Sequence, residues 1–198
     1  MTRMLPTLAS LSLMLYAAAI VLGLSVGDLY AEPVAQATLA WRGRHMLTAV
    51  AAALAVVFVE SIVVTYFIGT GRWCKEVTET YSLPPNDLAE SNRLKRRTFP
   101  LALVGMLTVI GVGSLGAASD PGALFERRAG QWTDWHLAAS LLGFCVVAWT
   151  YYRAWLNIAA QQAVIGRVVA QVQRIRHEKG LDDEPSPGAI AAGIAAER

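Results

Sequence analysis

Charged side chains are scarce in this chain. Of its 198 residues, 16% are Asp, Glu, Lys or Arg, whereas 55% are hydrophobic. A water-soluble domain of this size needs more polar residues to cover its surface, so the composition predicts a membrane protein. Strand-like alternation of apolar and polar residues is also missing. Because a backbone in lipid must satisfy its own hydrogen bonds, we predict helices.

Several common motifs are absent. Cys74 and Cys145 are the only cysteines, and the topology predicted below keeps them apart, so no disulfide is expected. The lack of a Cys-x-x-Cys-His sequence excludes covalent c-type haem. The segment 69–71 (Gly-Thr-Gly) lacks the Gly-Lys-Ser/Thr ending of a phosphate loop. Nothing apart from one short basic run favours nucleic-acid binding, and we predict no nucleic-acid partner.

Four apolar runs approach the roughly 20 residues needed to cross about 30 Å of hydrocarbon. The predicted spans are residues 7–27, 45–69, 98–118 and 136–160. The first run is too long for the apolar region of a signal peptide and has a counterpart later in the chain, so we interpret it as a span. Residues 1–181 are predicted to form an all-α four-transmembrane-helix bundle. Residues 182–198, rich in acidic and small residues, are predicted to be a disordered tail.

The two halves of the chain resemble each other. His45 and His136 are each the fourth residue after a tryptophan, and each opens a long apolar run. Their offset of 91 residues also places the first apolar run over the third, so that Thr7 matches Thr98. The sequence therefore predicts two tandem helical hairpins.

Basic residues indicate the orientation. Six of them lie between the second and third spans and others follow the fourth span, whereas each outer connection has two nearby. By the positive-inside rule, both termini and the central connection face the cytoplasm of a bacterial-type inner membrane. The basic run from Arg93 to Arg97 is also expected to contact anionic lipid headgroups. The basic residues of the central connection are Arg72, Lys75, Arg93, Lys95, Arg96 and Arg97.

Helical spacing continues beyond the membrane. The second helix is predicted to extend to Tyr81, before Pro84 and Pro85 break it. Asn86 is the predicted N-cap of the next helix. An apolar stripe over residues 164–175 predicts an amphipathic extension of the fourth helix. We therefore expect cytoplasmic helical extensions of the bundle.

His45 and His136 are the strongest candidates for chemistry. Two neutral imidazoles at one depth on different helices, with small residues beneath them, can bind a b-type haem iron. Arg42 and Arg44 are candidates to pair with the haem propionates. Alternatively, each histidine is an interfacial residue hydrogen-bonded to a loop. A bare zinc or copper ion is a weaker hypothesis, because it requires further ligands. The small residues predicted to share the histidine faces are Ala49, Ala52, Val56, Ser140, Gly143 and Val147.

Glu60 is the second candidate, because an ionisable residue inside a span usually faces the protein interior and has a partner. We predict that it pairs with helix four through Arg153, Tyr151 or Tyr152. A structural pair is favoured over a quinone or proton site. The glycines of residues 105–116 are assigned to close helix packing.

Two functions follow from these candidates. The first is a small electron-transfer subunit in the lipid bilayer, with one haem b near the outer face, a periplasmic redox partner and optional quinone contact near Glu60. The second is a non-catalytic accessory or assembly subunit that docks on other membrane subunits. A small transporter is compatible with the repeat but lacks specific support. The sequence leaves open whether the protein is an enzyme.

Overall fold

A computed structural model describes residues 3–121 and 129–181. The helices are α1 (Met4–Leu24), α2 (Gln36–Tyr81), α3 (Asn86–Ala118) and α4 (Ala129–Glu178). All four are long and apolar enough to cross a membrane, and the described part of the chain contains no strand. The predicted all-helical fold is confirmed at this level. The predicted tail lies outside the described residues.

The two longest helices form the centre of the bundle. Helix α1 packs on α2 and α4, and α3 also packs on α2 and α4. Helices α2 and α4 contact each other, whereas α1 and α3 share no contact in the described part of the chain. Residues on the inner faces of α2 and α4 are therefore enclosed by all four helices.

The buried faces follow a repeated register. Buried positions recur every three or four residues, as expected for helices with one inward face. Equivalent buried positions of α2 and α4 differ by 91 in residue number, whereas those of α1 and α3 differ by 93. The predicted match of Thr7 with Thr98 was therefore wrong by two residues, because fewer residues separate equivalent buried positions of α3 and α4 than of α1 and α2. The matched buried pairs are Ala52/Gly143, Val56/Val147, Val59/Thr150, Glu60/Tyr151, Val63/Ala154 and Phe67/Ile158, and Leu5/Thr98, Ala9/Ala102, Ser12/Gly105 and Tyr16/Val109.

The outer faces carry large exposed apolar side chains. On α2, Leu47, Leu54 and Phe58 are each at least 60% exposed, and Leu103 and Ile110 project outward from α3. Isolated apolar residues are normal on a protein surface, but a continuous apolar face is suited to contact with hydrocarbon or another apolar surface.

The connection between α2 and α3 is short. Helix α2 runs without a break to Tyr81 and ends at Ser82, whose φ of 52° is in the left-handed region. Helix α3 begins at Asn86, with Pro85 in the N-cap position and no side-chain cap. The prediction that Asn86 is the N-cap was therefore wrong by one residue.

Polar contacts join the extension of α4 to the start of α3. Arg167 donates hydrogen bonds to Asp87 Oδ1 and Glu90 Oε2, each at 2.7 Å, and Gln171 donates to Asp87 Oδ2 at 2.8 Å. Carboxylates in the first turns of α3 also favour the positive end of its helix dipole. These contacts align the two extensions.

Two buried amides earlier on α4 join the same helices. Asn157 Nδ2 donates to Thr98 Oγ1 at 2.9 Å, and Gln161 Nε2 donates to Ser91 Oγ at 2.9 Å. Thr98 and Gln161 are fully buried. A buried donor that loses its acceptor still bears the cost of desolvation but gains no hydrogen bond. These pairs therefore favour the one relative position of α3 and α4 in which both bonds form.

We predict that Thr98→Val lowers the free energy of unfolding by about 1–3 kcal/mol, because it leaves Asn157 Nδ2 without this acceptor. Thr80→Val is the matched control. Each threonine hydroxyl bonds the carbonyl four residues earlier, but Thr80 is exposed and has no hydrogen bond to another helix among those described. Thermal unfolding in detergent measures the difference. Equal melting temperatures for the two variants would show that the Asn157 contact is not stabilising.

Candidate functional site

The two span histidines meet in the bundle. His45 on α2 and His136 on α4 have ring centroids 6.2 Å apart, with ring planes at 74°. Both rings are half-buried. The equivalent positions of the two residues in the repeat bring the imidazoles to one level between the central helices.

A backbone hydrogen bond orients His45. Its Nδ1 lies 2.9 Å from the carbonyl oxygen of Ala19 on α1. A carbonyl oxygen can only accept, so in neutral His45 the proton is on Nδ1 and Nε2 has a free lone pair. This arrangement is typical of metal-binding histidines, whose second nitrogen donates to a backbone carbonyl or a carboxylate.

The environment of His136 is similar but less complete. Its Nδ1 is buried and lies near the backbone of Val112, yet it has no hydrogen bond of good geometry within the described residues. Val112 is the counterpart of Ala19 in the 93-residue register. The two histidines therefore face equivalent turns of α1 and α3, but the hydrogen bond is formed on the α1 side.

Each imidazole packs against a glycine. A Cβ atom added to Gly23 on α1 would lie 3.0 Å from His45 Cε1, and one added to Gly116 on α3 would lie 2.9 Å from His136 Cε1. These glycines are also related by 93 residues. The sequence assigned Gly116 to close packing but did not connect it, or Gly23, with a histidine.

The histidine pair could hold one haem iron, with one imidazole from each central helix. An imidazole nitrogen binds a first-row metal at about 2.0 Å, so two rings whose centroids are 6.2 Å apart are close enough for both to reach one metal. Within the described residues, no group of three His, Cys, Asp or Glu side chains could hold a metal ion. A porphyrin supplies four further nitrogens itself, so two imidazoles suit haem better than a bare ion. Of the small residues predicted beneath them, Ala49 is half-buried, and the buried ones are Ala52, Val56, Ser140, Gly143 and Val147.

Both arginines proposed for the propionates have other contacts. Arg42 pairs with Asp120, and its Nε is 3.1 Å from Asp120 Oδ2. Arg44 lies over the ring of Trp41, 4.9 Å from its centre, in a cation–π contact. These interactions engage both arginines at the end of the bundle near the histidines, and a propionate would have to compete with them.

Tyr16 is a buried polar residue that the sequence reasoning missed. Its ring packs edge-on against Phe144 at 5.8 Å, and its hydroxyl has no hydrogen-bond partner among the described residues. A Cβ on Gly143 would lie 2.7 Å from that hydroxyl. The available signal was helical spacing, since Tyr16 lies about one turn from Ala19 and shares its buried face.

Glu60 lies deeper in the bundle and is 1% exposed. Its Oε1 accepts a hydrogen bond from Thr150 Oγ1 at 2.8 Å. A Cβ on Gly105 of α3 would lie 2.5 Å from the same oxygen. The neighbouring Tyr151 hydroxyl shares a 3.0 Å hydrogen bond with Ser12 on α1. Polar contacts at this level therefore connect α2 with α4 and α4 with α1.

The α4 partner of Glu60 differs from those that the sequence predicted. Thr150 donates the bond, while Tyr152 and Arg153 are exposed. At 100° per residue, positions 152 and 153 point away from the buried stripe that contains Thr150. The sequence predicted Arg153, Tyr151 or Tyr152 as the partner, but the contact is made by a threonine. The aromatic ring of Tyr152 packs near the exposed Trp155 instead, 6.4 Å away.

The histidine level and the Glu60 level are separate. Glu60 follows His45 by 15 residues on α2, which corresponds to about 22 Å along a helix. A quinone bound beside Glu60 would therefore not touch the histidines. Comparison of the chain with models of protein families, with curated proteins and with solved structures finds no significant match.

We predict that Gly105→Ala destabilises the protein by about 1–3 kcal/mol, because the new methyl group overlaps Glu60 Oε1. Gly111→Ala is the control on the same helix, since a Cβ there meets nothing within 4 Å. It should be neutral or slightly stabilising, because alanine is a better helix former.

Combination with Glu60→Ala tests the cause. The Gly105→Ala penalty should largely disappear in that background, because the overlapping carboxyl group has been removed. Melting temperatures of the four proteins measure this coupling. A Gly105→Ala penalty that is unchanged without Glu60 would contradict the contact.

Proposed function

We propose that this chain is a multi-pass protein of a bacterial-type inner membrane that holds one b-type haem between His45 and His136 and transfers electrons near the outer face. The observation that carries the proposal is the pair of imidazoles on the two central helices, 6.2 Å apart. The hydrogen bond from His45 to Ala19, which leaves Nε2 available, supports it.

The chain's own residues would prepare the site before any ligand binds. Ala19 fixes the ring orientation of His45, and Gly23 and Gly116 let α1 and α3 approach the two rings closely. A bound haem would supply a one-electron redox centre. The apolar residues below the histidines would exclude water, which is one of the factors that set a redox potential.

The membrane location rests on surface chemistry. The outer faces of the helices are apolar, and most of the basic residues lie in the segments at one end of the bundle. With that end in the cytoplasm, the histidines lie near the opposite face, where a periplasmic redox partner could approach. The exposed apolar faces also suit contact with other membrane subunits.

A non-catalytic accessory or assembly subunit is the second candidate. One observation favours it: each histidine ring already fills the space over a glycine, and Arg42 and Arg44 are occupied at the outer end. In that case the histidines would be packing residues. For Glu60 we propose a structural role in both candidates, since its bond to Thr150 connects the two central helices.

We predict that the reduced-minus-oxidised visible spectrum of the purified protein shows the α-band of a b-type haem. His45→Ala and His136→Ala should each abolish the low-spin spectrum, because each removes one of the two residues that would hold the haem iron. His177→Ala should leave it unchanged, since that histidine is exposed at the far end of α4. The absence of any haem band in wild-type protein from haem-replete cells would instead select the accessory-subunit candidate.

We also predict that residue 79 is cytoplasmic and residue 36 is on the outer side. The test uses Glu79→Cys and Gln36→Cys in a background that lacks both natural cysteines, with a membrane-impermeant thiol reagent on spheroplasts. Gln36→Cys should react at once, and Glu79→Cys should react only after permeabilisation. In the wild-type protein, burial raises the pKa of the Cys74 thiol, so this natural cysteine should react slowly with the reagent. Immediate labelling at position 79 would reverse the proposed orientation.

A further inference from the structure

A basic groove lies on α3 just before its predicted span. It is lined by Ala89, Asn92, Arg93, Arg96 and Arg97. The three arginines are exposed, and none of them forms an ion pair within the described parts of the chain. The groove therefore presents three guanidinium groups whose charge no described carboxylate neutralises.

The nearest acidic residues of α3 are already engaged. Asp87 and Glu90 both accept hydrogen bonds from Arg167 of α4. Because this arginine binds both carboxylates, they are not available to the basic side chains that follow on α3. The cross-helix contact thus keeps the basic groove positively charged.

A second, apolar groove lies between α2 and α3. Its volume is about 660 Å³. The hydroxyl of Ser61, one of its few polar groups, already donates to the carbonyl oxygen of Val57. The groove therefore offers hydrocarbon contact and little hydrogen bonding. It is lined by Ser61, Val64, Thr65, Phe99, Pro100, Leu103 and Met106.

The two grooves follow each other along one face of α3. Arg96 lines the basic groove, whereas Pro100 and Leu103 line the apolar groove. Spacings of four and three residues place these side chains in one row on a helix. The chemistry changes from basic to apolar between Arg97 and Thr98, which is where the sequence places the membrane boundary. This order, with basic side chains followed by apolar ones in one row, matches the charged headgroup and the apolar acyl chain of an anionic lipid.

We propose that this face of α3 binds one anionic phospholipid, with its phosphodiester at Arg93, Arg96 and Arg97 and an acyl chain in the groove between α2 and α3. Guanidinium groups donate paired hydrogen bonds to phosphate oxygens, and three unneutralised arginines favour a lipid with net negative charge over a zwitterionic one. The inference rests on the membrane insertion proposed above and is independent of the haem.

The headgroup test measures phosphatidylglycerol retained by detergent-purified full-length protein, using mass spectrometry. Arg93→Gln combined with Arg96→Gln should reduce retention about thirtyfold, because two basic contacts at the membrane surface are lost. The control, Arg174→Gln with Lys179→Gln, removes the same charge from the exposed end of α4 and should retain the lipid. Equal loss in both double variants would overturn a specific site and indicate general charge attraction.

The acyl-chain test uses Leu103→Trp, which fills the apolar groove, and Leu107→Trp as control, an exposed position on the same helix that does not line the groove. Retention should fall for Leu103→Trp alone. Addition of phosphatidylglycerol to delipidated wild-type protein should also raise its melting temperature more than phosphatidylcholine does. An equal rise with inorganic phosphate or glycerol phosphate would overturn the lipid assignment, since it would show that the arginines bind the anion alone.

Two controls separate this inference from the proposed function. Release of the wild-type protein from membranes by alkaline carbonate would refute membrane insertion, and with it the lipid site. The haem spectrum, recorded on every sample, should not change when lipid retention is lost. A haem-free protein that still retains phosphatidylglycerol through Arg93 and Arg96 would refute the electron-transfer proposal and leave the lipid site standing.

Discussion

The bundle depends on large polar side chains that are packed against glycines of neighbouring helices. His45 lies on Gly23, and Glu60 lies on Gly105, with so little space that a methyl group on either glycine would come within 3.0 Å of the polar side chain. Close helix approach of this kind replaces the water that these groups lose on burial with protein contacts. It also restricts each ring or carboxyl group to a narrow set of positions.

One packing arrangement is used twice, with different chemistry in each copy. The buried positions of α2 and α4 correspond at an offset of 91, yet this register matches Glu60 with Tyr151. Each of the two interacts with its own hydroxyl partner, Thr150 for the carboxyl group and Ser12 for the phenol. The pattern of buried positions is therefore repeated, while the polar contacts between helices differ in the two halves.

The same asymmetry occurs at the histidines. His45 has a backbone acceptor on α1, whereas Nδ1 of His136 lacks a well-formed hydrogen bond among the described residues. A hydrogen bond to one ring nitrogen fixes the orientation of an imidazole, so His45 is held by this bond as well as by packing on Gly23, whereas His136 is held by packing on Gly116.

The sequence by itself determined that the chain forms four long apolar helices and that His45, His136 and Glu60 face the interior, because apolar length and helical periodicity are local properties. Tertiary structure decided the partners. Thr150 rather than Arg153 bonds Glu60, and Arg42 pairs with Asp120, because contacts between helices depend on their relative rotation and axial shift. The change from an offset of 91 to one of 93 reflects the smaller number of residues between matched positions of α3 and α4, and no periodicity within a single helix contains it.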